Sequence, residues 1–129
     1  MINIRIARPS EFDDTKELIQ SIFPNAIVHI NDGDTLLVAE DQGEIVGFAH
    51  MADGDERIIV KGLGVAKSVR GHGVGTLLLE CLFEMIKDDA RPVYLKVKSL
   101  NPVIDLYGRY GFFLKKFGQA HVLVKKPHS

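Results

Sequence analysis

The chain is poor in cysteine and has no tryptophan: Cys81 is its one thiol in 129 residues. A single cysteine excludes an intrachain disulfide and any metal site built on clustered thiolates. It also makes the cytoplasm the expected compartment, since disulfides mark oxidising ones. Long hydrophobic runs are missing as well. No apolar stretch approaches the ~20 residues a spanning helix needs. The opening Met1-Ile2-Asn3-Ile4-Arg5-Ile6 lacks the basic and apolar blocks of a signal peptide. No membrane role is expected. Repeats, low-complexity tracts and linkers are absent, so residues 1–129 are read as a single domain. The histidines His29, His50, His72, His121 and His128 show no metal-ligand spacing. Lys115-Lys116 with Lys125-Lys126 is too small a basic cluster for a nucleic-acid footprint and is expected to be a solvated face.

What remains is ordinary for a globular protein: 46% hydrophobic and 26% charged residues. A chain of this length buries roughly two-thirds of its unfolded surface, enough for a core without staples. The net charge of −1 conceals a split. Residues 1–64 carry 5 Lys+Arg against 12 Asp+Glu, net −7; residues 65–129 carry 11 against 5, net +6. An anionic partner on the basic side and a cationic one on the acidic side would fit this division.

Ile2–Ile6 alternates with period 2 and predicts a strand. Ser10 is placed to cap a helix, with Asp13 at the capping-box position. Leu18, Ile19, Ile22 and Phe23 keep helical spacing until Pro24 stops the run. Residues 25–34 read as loop. Thr35–Glu40 and Ile45–Met51 flank the turn 41–44, a hairpin signal. Arg57–Val65 is apolar on both faces and so is expected to be central. Its glycines, Gly62 and Gly64, predict a bulge or a close approach to the backbone. A glycine-rich turn follows, then a helix with the expected apolar stripe Leu77, Leu78, Cys81, Leu82, Met85 and Ile86. Cys81 is read there as a small apolar core residue. Val93–Lys98 reads as a strand, Asn101-Pro102 as the start of another helix closing near Gly111, and 112–117 and 120–125 as two short strands. The order β-α-β-β-β-α-β-α-β-β is an α/β (α+β) arrangement with an antiparallel front and a crossover helix between 57–65 and 93–98.

The segment 63–79 carries the chemistry. Glycines let the backbone turn and leave its N–H groups uncovered. A helix N-terminus adds unpaired donors and partial positive charge, which together cradle phosphate. Arg70 supplies a fixed cation. Thr76 follows Gly75 with no lysine between, which argues against a Walker A loop. Gly71-His72-Gly73-Val74-Gly75-Thr76 also fails the sixth position of a dinucleotide fingerprint.

Arg70-Gly71-His72-Gly73-Val74-Gly75 resembles the Q/R-x-x-G-x-G/A signature of the GNAT superfamily of acyl-CoA-dependent N-acyltransferases. Leu63-Gly64-Val65 is similar to the L-A-V that ends that family's central strand. Asn101 with Leu106-Tyr107-Gly108-Arg109-Tyr110-Gly111-Phe112 resembles its N…L-Y-x-x-x-G-F segment. The resemblance covers nearly the whole chain and implies a mixed, mostly antiparallel sheet flanked by helices.

It further implies that acetyl-CoA is the co-substrate. Its pyrophosphate would be held by Arg70, Gly71, Gly73 and Gly75, with N–H groups from Val74 and Thr76. The pantetheine arm would lie along Leu63 and Val65 and be contacted by Asn101. Tyr107 would protonate the departing thiolate. The spacing from Asn101 to Tyr107 is one residue shorter than the commonest family form. Lys61 stands where many members carry a glutamate base, so Glu56, Asp55 and His50 become the nearby base candidates. Direct transfer is expected, to a primary amine on a small molecule, a peptide N-terminus or a lysine. The alternatives are an acyl-CoA-binding or regulatory module without turnover, and a glycine-rich turn with no ligand. The apolar C-terminal strands are explained equally by core packing and by a homodimer.

Overall fold

The computed structural model describes residues 1–25, 28–98, 113–116 and 120–125, with side chains described up to Leu95. Strand β1 (Ile2–Ile6) is followed by a 3-10 turn (Pro9–Glu11), helix α1 (Phe12–Ile22) and strands β2 (Thr35–Asp41), β3 (Glu44–Asp53) and β4 (Ile58–Val65). Helix α2 (Val74–Ile86) then leads to β5 (Val93–Lys98), β6 (Phe113–Lys116) and β7 (Ala120–Lys125). The strands form a seven-stranded sheet in the order β1-β2-β3-β4-β5-β7-β6. All neighbours are antiparallel except β4 and β5, which α2 joins as a crossover. The expected helix from Asn101 to Gly111 lies outside the described residues.

The charge split follows the sheet. Residues 1–64 supply its β1–β4 side up to Gly64, and the basic half supplies the glycine loop, α2 and β5–β7. Helix α2 crosses back over the acidic strands, so the division runs strand by strand and not face by face.

Local chemistry explains most boundaries. The β2–β3 hairpin turns at Gln42 and Gly43, both with positive φ (51° and 87°), the conformation a two-residue hairpin needs. Helix α1 does not start at Ser10 as expected. Pro9 opens a 3-10 turn, and Glu11 becomes the N-cap residue of α1. The Glu11 carboxylate accepts from the Arg8 N–H (2.8 Å) and from both terminal nitrogens of Arg5 (2.7 Å each).

These bonds, the Arg5 pair foremost, hold the Glu11 pKa down at about 2 from its ordinary 4.5. A depressed carboxylate contributes stability that is complete above the unfolded pKa and is lost as pH falls through the folded one. Glu11→Gln should therefore lower the urea midpoint at pH 7. It should also flatten the fall in midpoint between pH 4.5 and 2, because that variant has no Glu11 proton to gain. Equal slopes in the two proteins across that window would contradict the assignment.

Two apolar layers cover the sheet. On one face Leu37, Ala39, Ala49, Met51, Ile58 and Val60 pack against Val74, Leu78, Leu79, Leu82 and Phe83 of α2. The buried stripe of α2 thus differs from the one expected: Leu77 and Met85 are exposed and Cys81 is half-buried. The apolar spacing fits two adjacent stripes, and the sheet takes the one that includes Leu79 and Phe83. On the other face Leu36, Val38 and Phe48 pack with Ile19, Phe12 and Ile22 of the α1 region. Each large side chain so buried contributes roughly 1.5–3 kcal/mol.

The glycines of β4 have a specific occupant. A Cβ on Gly64 would lie 2.9 Å from Phe48 Cε1 and 3.2 Å from Phe23 Cε2; one on Gly62 would lie 3.3 Å from Phe48 Cε2. The Phe48 ring, only 1% exposed and meeting Phe23 edge-on at 6.4 Å, has nowhere to go. This accounts for Gly64 where the family motif has alanine. Gly64→Ala should cost about 1–3 kcal/mol through overpacking. In a chain of this size that lowers Tm by roughly 4–12 °C. An unchanged Tm in a calorimetric scan would show that the ring yields freely.

Candidate acyl-CoA site

The site arises where β4 and β5 part. They pair only over Ile58–Val60 with Val93–Leu95, although β4 continues to Val65 and β5 to Lys98. Against β3 the register steps from His50↔Gly62 to Met51↔Val60, leaving Lys61 as an extra residue. A bulge bends its strand. This one falls immediately after the last pair with β5, so the two strands separate at Lys61. The bulge that the glycines predicted is present, one residue before Gly62.

Beside the freed length of β4 lies a pocket of about 240 Å³. Its walls are Leu63 and Val65 from β4, Val69, Arg70, Gly71 and Gly73 from the loop, and Val74, Gly75, Thr76 and Leu79 from α2. Eight of the residues singled out in the sequence, Leu63, Val65, Arg70, Gly71, Gly73, Val74, Gly75 and Thr76, are thus brought to one place. Asn101 and Tyr107 lie outside the described residues.

The loop is shaped by backbone requirements. Gly71 and Gly73 have φ of +83° and +79°, a region that L side chains rarely adopt, although open space surrounds both. Gly73 is the N-cap of α2, with no side-chain cap bond, and the first helical bond runs from the Leu77 N–H to the Gly73 carbonyl (3.0 Å). The N–H groups of Val74, Gly75 and Thr76 therefore stand at an uncapped helix start with no acidic residue in the first turn. A Cβ on Gly75 would sit 3.6 Å from Val65 and 3.8 Å from Leu63, so glycine here keeps the gap between helix and strand open. Arg70 is exposed, and its Nε donates to the Val65 carbonyl (3.1 Å), which anchors the side chain at the pocket rim; its terminal nitrogens have no partner among the described residues. Donors, helix dipole and cation together fit an anion, and the apolar walls fit a hydrocarbon arm.

The base candidates separate clearly. Asp55 and Glu56 are exposed on the β3–β4 turn. His50 is buried on the α1 face of the sheet, and its Nε2 meets Asp34 Oδ2 at 2.8 Å. The same oxygen accepts from the Asn31 N–H (3.0 Å) and lies 3.9 Å from Lys61 Nζ. Burial pushes the Asp34 carboxyl up, but the Asn31, His50 and Lys61 contacts outweigh it and hold the pKa below its ordinary value. Asp34 falls in the stretch that reads as loop. The signal for it was alternation along β2: Leu36 pairs with His50, and Asp34 lies two residues earlier on the same face. No group of three metal-ligating side chains occurs among the described residues, and no described helix is long and apolar enough to cross a membrane.

A GNAT acetyltransferase domain matches residues 32–113, and the chain belongs to this family. The family is one of acyl-CoA-dependent acyltransferases, and acetyl transfer to amines is the activity its fold serves. Three solved structures illustrate the shared fold. The ribosomal-protein-S18-alanine N-acetyltransferase of Escherichia coli superposes with a TM-score of 0.82 at 16% identity, covering 100% of this chain and 96% of that one. The PaiA N-acetyltransferase of Thermoplasma acidophilum, in complex with coenzyme A, gives 0.77 at 14% identity, with 98% and 99% covered. Arabidopsis thaliana Naa50, in complex with a CoA-peptide bisubstrate analogue, gives 0.75 at 20% identity, with 97% and 98% covered. A search of curated protein sequences finds no significant match.

Proposed function

We propose that residues 1–129 form one acetyltransferase domain that moves the acetyl group of acetyl-CoA directly to a primary amine. One observation carries this reading. The glycine loop, the uncapped start of α2 and the freed edge of β4 converge on a single pocket at the point where the sheet opens. The pyrophosphate is held by the N–H groups of Val74, Gly75 and Thr76, with Arg70 as counter-charge and Gly71 and Gly73 shaping the turn. The pantetheine arm runs along Leu63 and Val65, with Asn101 as a further partner. This brings the thioester into the gap beyond Val60. Backbone N–H groups there are placed to stabilise the oxyanion, a contact worth about 3 kcal/mol in the barrier where it forms. Tyr107 donates its phenolic proton to the thiolate as the C–S bond breaks.

The acceptor is a small-molecule amine, a peptide N-terminus or a lysine. The acidic β1–β4 half offers an attractive field to an ammonium group on approach. The test combines calorimetry with CoA and thiol release from acetyl-CoA across an amine and peptide panel. Micromolar CoA binding with amine-dependent thiol release is the expected result. CoA binding without release from any amine would instead identify a CoA-sensing module, and no binding would remove the reading.

A further inference from the structure

Direct amine attack needs a proton acceptor, and β4 offers none, because Lys61 occupies the bulge at the opening of the sheet. We propose that His50, oriented by Asp34, is the base that takes the proton from the acceptor amine. This rests on the transferase reading above.

Placement is the first argument. His50 stands opposite Gly62, one residue beyond the bulge where β4 leaves β5. It lies on the α1 face of the sheet, whereas Leu63 and Val65 face the α2 side with the phosphate-binding loop. Donor and base thus flank β4 from opposite sides, and an amine reaching the gap from the α1 face meets the thioester with the imidazole on its own side.

Chemistry is the second. Both side chains of the pair are about 95% buried, and His50 Nε2 to Asp34 Oδ2 is 2.8 Å. A carboxylate on Nε2 makes that nitrogen the N–H donor and leaves Nδ1 as the basic one. Nδ1 has no partner among the described residues. Asp34 itself is committed to Asn31, His50 and Lys61, which suits it to hold the ring and not to take a proton. Among the described residues the charged groups at the imidazole are Asp34, just before β2, and Lys61 of β4, whose Nζ lies 3.9 Å from the same carboxylate oxygen. Region α1 and residues 28–30 add Phe12, Ile19, Ile22, Val28 and Ile30 to that layer.

The steps balance. The ammonium gives one proton to Nδ1, directly or through one water. The neutral nitrogen bonds to the carbonyl carbon, and the C–S bond breaks. The departing thiolate takes a proton from Tyr107, which regains it from the new amide nitrogen. His50 then releases its proton to solvent.

Three proteins decide the matter: wild type, His50→Gln and Asp34→Asn, each assayed for kcat and kcat/KM from pH 5 to 10, with CoA affinity measured in parallel. His50→Gln keeps a hydrogen bond to Asp34 and should bind CoA as wild type does, while kcat falls by about 10²- to 10⁴-fold. Asp34→Asn keeps a side chain that can bond to the ring without holding its charged form, and should lower kcat by less, with KM for the amine unchanged. A merely structural pair would leave kcat of the folded protein unmoved. Wild-type kcat in His50→Gln overturns the proposal, as does wild-type kcat in Asp34→Asn. Asp34→Asn decides alone if His50→Gln does not fold. If wild type transfers to no amine, the transferase reading fails and the base assignment goes with it. If wild type transfers and His50→Gln equals it, only the base assignment fails.

Discussion

Gly73→Val should abolish useful CoA affinity, weakening it by at least about 100-fold, while the sheet stays folded. Gly73 sits at φ +79° as the N-cap of α2. A β-branched residue there costs roughly 1–3 kcal/mol of strain. The cheapest escape is to re-form the turn, which swings the Val74, Gly75 and Thr76 N–H groups off the phosphate. Each hydrogen bond to a charged group is worth about 1.5–3 kcal/mol, and about 1.4 kcal/mol is tenfold in affinity. Two lost bonds are therefore enough for the stated effect. The rest of the helix is anchored by Leu78, Leu79, Leu82 and Phe83, so its packing survives. Calorimetry on the variant, alongside a thermal melt, checks this. Retained affinity would mean that the helix start does not carry the phosphate.

The second large effect concerns turnover. Tyr107→Phe should lower kcat by about 10²- to 10⁴-fold with CoA affinity unchanged. A phenol of pKa about 10 can donate to a thiolate whose conjugate acid is about 8.5 only when held against it. Phenylalanine keeps the ring and removes the hydroxyl that carries that proton. The departing group is then left to water. The rate loss should shrink with an acyl donor bearing a more acidic thiol, which needs less protonation to leave. Equal losses for good and poor leaving groups would assign Tyr107 to packing.

The sequence announced the glycine-loop side of this site better than the side of His50, for a physical reason. Gly71 and Gly73 are fixed by backbone conformation, and Gly75 by the gap it keeps open, so residue type reveals the geometry. The hairpin at Gln42-Gly43 and the central β4 were legible in the same way. The His50 side depends on juxtaposition. Asp34 and His50 are 16 residues apart and meet only because β2 and β3 pair in one register, set by the hairpin and the register shift between Ala39 and Glu40. The glycines of β4 announced a close approach but not its source, the Phe48 ring from the neighbouring strand. Helix α2 misled for a related reason. Its apolar residues outnumber what one face can bury, and only packing against the sheet chooses Leu79 and Phe83 over Leu77 and Met85. The start of α1 was obscured by a tertiary ion pair, Arg5 with Glu11, that competes with local capping by Ser10.

The central claim, that one pocket delivers an acetyl group to an amine in the opening between β4 and β5, is tested most directly by mass spectrometry. Acetyl-CoA and the protein would be incubated with a panel of small amines, free N-terminal peptides and lysine peptides. One acetyl group should appear on an acceptor nitrogen for each CoA thiol released, with the protein itself unmodified at Cys81. Contradiction would come from CoA bound at the pocket with every amine unchanged, or from acetyl found on Cys81 as an intermediate.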